Sequence, residues 1–137
     1  MKRKELQELA AIRLREAKLL LQGNCWEGAY YLGGYVAECA LKACIARQTE
    51  RHEFPDKKRA DASHTHRLTD LLRVAGLEEA LGEAVRHQPE FAANWQIVRD
   101  WSERSRYEKR SRSEAEALLK ALQDRKYGVL PWLRKRW

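Results

Sequence analysis

The side chains best suited to chemistry in this sequence gather late in the chain. They form the run Arg99-Asp100-Trp101-Ser102-Glu103-Arg104-Ser105-Arg106-Tyr107. Metal-free cleavage of RNA needs a base beside the 2′-hydroxyl, an acid beside the leaving oxygen and a cation beside the phosphate. The planar guanidinium forks of Arg99, Arg104 and Arg106 suit the third role and cannot fill the first. His52, His66, Glu103 and Tyr107 are the candidates for proton transfer. Histidine is the better suited because it titrates near working pH; glutamate is a weak base unless burial raises its pKa. Without proton transfer the same run binds rather than cuts. Arg99, Arg104, Arg106 and Tyr107 then form the binding set, with Tyr107 expected as a packed, hydrogen-bonded anchor. Trp101 offers its ring to a base, and Asp100 and Glu103 orient the arginines.

Two further constellations carry charge. Glu38 and Lys42 interrupt an otherwise apolar stretch, with the glutamate first, the favoured order for a helical ion pair. Buried charges need partners, so Glu38 is also expected to meet Arg99 or Arg106. It serves either a structural network or a polar cleft. His52, His64 and His66, with Asp61 nearby, make only a weak metal pattern; no metal and no cofactor are expected. Basic residues cluster at Lys57-Lys58-Arg59, from Arg104 to Arg112, and at Arg134-Lys135-Arg136. Any one run reads as solvated surface; three lining one groove would favour nucleic acid and give salt-sensitive binding.

Helices must position these groups, because Ala, Leu, Glu, Lys and Arg dominate and strand-like alternation is absent. A first helix is expected from Lys4 to Gln22, with Leu6, Ala10, Leu14, Ala17 and Leu21 as its buried stripe. Gly23-Asn24 ends it. A second runs from Cys25 to Gln48, opened by a capping box of Asn24 with Glu27. It is apolar nearly all round and therefore central. Gly33, Ala37, Ala40 and Cys44 align as small residues that admit a close neighbour, from the same chain or a second subunit. Glu50 to Ser63 reads as a loop. Short helices follow from His66 to Ala75, behind a Thr65 cap, and from Leu77 to His87. Pro89 opens a helix whose body covers Phe91 to Tyr107, with Phe91, Trp95, Val98 and Trp101 facing the core. Glu108 to Arg112 connects to a last helix, capped by Ser113 with Glu116 and running to Lys126. Beyond Gly128, Val129 to Leu133 fold back on the core.

At 137 residues the chain suits one domain over residues 1–137, large enough to fold without disulfides or metal. A net charge of +7 favours anionic partners without requiring them. Cys25, Cys39 and Cys44 are odd in number and form no CxxC pair, which points to reduced, packed thiols. Met1-Lys2-Arg3-Lys4 leads directly into a charged amphipathic pattern, and no apolar run is long enough to cross a bilayer. The expected setting is the cytoplasm, away from membranes.

The stretch Gly28-Ala-Tyr-Tyr-Leu-Gly-Gly-Tyr-Val-Ala-Glu-Cys-Ala-Leu-Lys-Ala43 resembles the signature helix of HEPN domains. Its setting does too: a Leu-rich helix before it, His66-Arg67-Leu68 followed by Leu71-Leu72 after the loop, and the Arg- and Tyr-rich run near the end. The resemblance spans nearly the whole chain. It implies an all-α, antiparallel up-and-down bundle of four to six helices and a homodimer with its cleft at the subunit interface. Many members of the family are metal-independent ribonucleases of toxin–antitoxin, defence or stress systems; others bind RNA, nucleotides or a nucleotidyltransferase partner.

Active members carry an Arg, often followed by a polar residue, and a His with four to six residues between. Here Arg99-Asp100 and Tyr107 fit the pattern, but Ser105 stands at the His position and no His follows Arg99. Arg47 to His52 matches by spacing but lies at the end of the second helix, not on a late one. The resemblance therefore implies a defence- or regulatory-type protein that binds RNA or a nucleotide. A metal-independent endoribonuclease using His52 or His66 is the alternative, and a partner of a nucleotidyltransferase or antitoxin is the third reading.

Overall fold

The computed structural model describes residues 1–51 and 57–137, and among them every regular element is helical. The elements are α1 (Arg3–Gln22), α2 (Trp26–Arg51), α3 (Lys57–Ala62), α4 (Leu68–Val74), α5 (Glu78–His87), α6 (Pro89–Arg99), a 3-10 turn (Glu103–Tyr107), α7 (Arg112–Gln123) and α8 (Val129–Arg134). That is more helices than the four to six expected, because the chain between the long elements breaks into short pieces. Among the described residues no helix is long and apolar enough to cross a membrane.

Helices α1 and α2 form a tight hairpin. Glu5 opens α1 by accepting the backbone N–H of Lys2 at 2.8 Å. The far end closes through Asn24, whose φ of 63° lies in the left-handed region. The N–H of Cys25 reaches the carbonyl of Leu20 (2.8 Å) and that of Asn24 reaches Leu21 (3.2 Å). This is a Schellman ending, which favours Gly or Asn at that position. Asn24 therefore terminates α1 and does not cap α2, contrary to the capping box expected with Glu27.

Helix α2 is the centre. Val36, Ala37, Ala40, Leu41, Ala43 and Cys44 are all but inaccessible, and α1, α4, α7, α8 and the 3-10 turn pack around the helix. The neighbour on its glycine positions belongs to the same chain. A β-carbon on Gly33 would lie 3.1 Å from Leu118 and Leu119 of α7, and one on Gly34 would lie 1.9 Å from the Trp101 ring.

Other boundaries differ from expectation for local reasons. Helix α6 stops at Arg99, not Tyr107, because the chain turns Trp101 inward (3% exposed) onto Gly34. Ser102 then opens the 3-10 turn by accepting the N–H of Arg104 at 3.3 Å. The box that opens α7 is Ser111 with Glu114, not Ser113 with Glu116; Glu116 pairs instead with Arg112 at 2.6 Å. Part of the expected loop before Ser63 is helical, as α3. Thr65 accepts the N–H of Arg67 at 3.1 Å, just ahead of α4. The last long helix ends at Gln123. Val129, Leu130 and Leu133 then return to the core as α8, against α2, α6 and α7.

Candidate functional site

On one face of α2, Tyr31, Tyr35, Glu38 and Lys42 follow one another at helical spacing. Glu38 is buried, with only 5% of its surface exposed. Its partners are Lys42, whose Nζ lies 3.5 Å away, and His66, whose Nδ1 lies 2.9 Å away. It meets neither Arg99 nor Arg106, which corrects the expected partnership: those arginines stand at the surface, while His66 arrives on the segment leading into α4. The other imidazole nitrogen, Nε2, lies 3.4 Å from the carboxylate of Glu103 on the 3-10 turn. His66 thus bridges α2 to the turn between two carboxylates. A carboxylate on one ring nitrogen fixes the orientation of the other, a common way of preparing histidine for proton transfer.

Aromatic rings wall this network. Tyr35 meets His66 edge-on at 6.2 Å and Trp101 at 5.2 Å. The phenols of Tyr31 and Tyr35 are 3.2 Å apart. Burial and that hydrogen bond push the Tyr35 hydroxyl far above its ordinary value, so it stays protonated. Behind it, Trp101 Nε1 and Ser105 Oγ are buried without a hydrogen-bond partner among the described residues. The tyrosines were legible only as part of an apolar run. Their alignment with Glu38 and Lys42 was the signal that would have singled them out.

The late run divides into two sides. Trp101 and Ser105 are buried and anchor it, so Trp101 is not available to stack on a base from solvent, which corrects that expectation. Arg99, Asp100, Arg104, Arg106 and Tyr107 are exposed. Among the described residues Arg99 has only the adjacent Asp100, at 4.0 Å. Neither Arg104 nor Arg106 forms an ion pair among the described residues. Arg106 lies 4.9 Å from the centre of the Tyr107 ring, and Tyr107 is 80% exposed, which corrects the packed anchor expected there. The guanidinium of Arg106 is held above its ordinary pKa first by Tyr107 and then by a hydrogen bond with Tyr31. Further along, Arg110 is committed to Glu108, to Glu114 at 2.8 Å and to the face of Tyr30 at 4.1 Å.

A cavity of about 990 Å³ lies beside the network, between α1, α2 and the α3 segment. Tyr31, Tyr35, Glu38, Lys42 and His64 line it, but none of Arg99, Arg104, Arg106 or Tyr107 does. The three basic runs therefore do not share this cavity: of them only Arg59 is among its described lining residues. In the C-terminal run, Arg134 lies near the Trp137 ring and Arg136 covers Trp132 at 3.9 Å. Among the described residues no three His, Cys, Asp or Glu side chains are grouped to hold a metal. His52 lies outside the described residues.

No family model, no curated protein and no solved structure matches the chain.

Proposed function

We propose that this chain is a HEPN-like protein of defence or regulatory type that binds single-stranded RNA, acting as a homodimer. The observation that carries the reading is the outer side of the 3-10 turn. Arg104 and Arg106 have no carboxylate partner among the described residues, and Tyr107 presents its ring to solvent beside Arg106. Guanidinium groups pair with phosphates and an exposed ring stacks on any base, the combination used for unstructured nucleic acid. The inner side is held by Trp101 against Gly34 and by Glu103 against His66, so these groups start from fixed positions. The HEPN component draws support from the central place of the glycine-, alanine- and tyrosine-rich α2 in an all-helical chain.

The test is retention of a labelled single-stranded RNA oligonucleotide in EDTA, compared with that of a mononucleotide. Binding of the oligonucleotide that weakens with salt and is lost in an Arg104→Gln, Arg106→Gln variant supports the reading. Equal binding by wild type and variant overturns it.

A second reading, metal-independent RNA cleavage through His66, is favoured by one observation: the imidazole is half exposed while the buried Glu38 fixes its Nδ1 side. Cleavage in EDTA that is lost in His66→Gln, whose amide can still donate to Glu103, with RNA retention kept, identifies that activity.

A further inference from the structure

The cavity beside the histidine network takes no part in the proposed RNA contacts, and its lining describes a different ligand. Its α2 wall extends from Tyr31 to Glu50, about 28 Å of helix. Its volume, about 990 Å³, suits a small molecule of substantial size. Leu6, Leu9, Leu32 and Ile45 give it aliphatic surface. A free inorganic anion would leave that surface uncovered.

Charge is concentrated towards one end. Arg3 and Arg59 both line the cavity where α2 finishes. Arg3 is anchored by its Nη atoms, to Glu50 at 3.4 Å and to the carbonyl of Trp137 at 2.7 Å. Arg59 is anchored by Nη2 on the side-chain oxygen of Gln48. In both, Nε is buried with no partner among the described residues, out of reach of the cavity, so a ligand would meet the outer guanidinium edge. An oxyanion is the group whose charge and geometry best match a guanidinium edge. Lys2, Arg13 and Lys42 add positive charge along the walls, against Glu38 and Glu50.

We infer that this cavity binds an amphiphile, its oxyanion head at Arg3 and Arg59 and its apolar chain along Leu6, Leu9 and Leu32. The head is a carboxylate or a phosphate monoester. Either pairs with the positive charge of the two guanidinium groups, while the chain covers the aliphatic wall.

Calorimetric titration of the full chain with decanoate, decyl phosphate, decanol and inorganic phosphate, each below its aggregation limit, tests this. One of the two charged amphiphiles binds with 1:1 stoichiometry, and the tighter of them names the head group. Decanol and inorganic phosphate bind at least roughly tenfold more weakly, the loss expected for a charged hydrogen bond. Arg59→Gln weakens the amphiphile by about the same factor. Ala46→Trp, which fills the cavity, abolishes its binding and leaves RNA retention unchanged, so this inference and the RNA reading fail separately. If Ala46→Trp lowers the unfolding midpoint, Ser63→Trp on the opposite wall replaces it. Decanol binding as tightly as decanoate, no binding by either charged amphiphile, or undiminished binding in the filled variants overturns the inference.

Discussion

The buried carboxylate of Glu38 holds His66 by Nδ1 at 2.9 Å, while Glu103 faces the other ring nitrogen at 3.4 Å. Through this one side chain the central helix is tied to the turn that carries the exposed arginines. The ordering of that turn therefore depends on a contact made well behind its surface.

Removing the anchor leaves Lys42 and His66 without their shared partner. Glu38→Ala is expected to lower stability by about 1.5–3 kcal/mol, the range for hydrogen bonds to charged groups. In urea unfolding, a cycle with His66→Ala should give a coupling well above that of exposed ion pairs. Additive single-variant effects would show that the two groups do not depend on each other.

Gly34 and Trp101 form the second tie. A β-carbon at Gly34 would come within about 2 Å of the indole ring, so Gly34→Ala must displace the ring or the helix. A loss of about 1–3 kcal/mol is expected, with a changed near-ultraviolet dichroism signal from the displaced tryptophan. A variant as stable as wild type, with an unchanged aromatic spectrum, would contradict this packing.

These two ties also show where the sequence stops being informative. The stripe of α1 and the all-round apolarity of α2 are local patterns, and both helices lie close to where periodicity puts them. The end of α6 is not local. Phe91, Trp95 and Val98 continue smoothly towards Trp101, and only the cleft over Gly34, far away in sequence, turns that tryptophan inward. Ser111 with Glu114 and Ser113 with Glu116 are equally good capping boxes on paper. The earlier start also allows Arg112 to pair with Glu116. Glu38 stood out as a buried charge, but His66 reaches it through an irregular segment that no helical spacing describes. Of the late run, the exposed arginines could be named from the sequence; that Trp101 and Ser105 face inward could not.

The thiols give a test of burial. Cys25 is exposed, whereas Cys39 and Cys44 are buried, and burial pushes both of their thiols up to about 11. The thiolate is the reactive form. Ellman's reagent at neutral pH should therefore modify Cys25 alone in the native chain, and Cys39 and Cys44 only after unfolding. Because the folded state holds these protons more tightly, the associated stability is complete below the ordinary thiol pKa. It is lost as pH rises from that value towards 11. Equal native reactivity of Cys25, Cys39 and Cys44 would contradict the packing of α2.

At the acid end, Glu114 is held below its ordinary pKa, first by Arg110 and then by the backbone and hydroxyl of Ser111. A carboxylate with a depressed folded pKa stabilises above its unfolded value, and the effect fades as pH falls through the folded one. NMR titration should place Glu114 lower than an unstructured glutamate, and Glu114→Gln should flatten the acid limb of the stability profile. A titration midpoint at or above the unstructured value would remove the capping box from the account of α7.

The most direct test of RNA binding by the 3-10 turn is the salt dependence of affinity for a single-stranded oligonucleotide. Each phosphate contact contributes a slope of about −0.7 in the logarithm of the binding constant against that of salt. Arg104→Gln and Arg106→Gln should each reduce the slope by roughly that amount. Tyr107→Ala should leave the slope intact and weaken binding by about 1–3 kcal/mol through lost stacking. A wild-type chain that shows no salt-dependent affinity, or whose slope is the same after both arginines are replaced, would contradict the assignment.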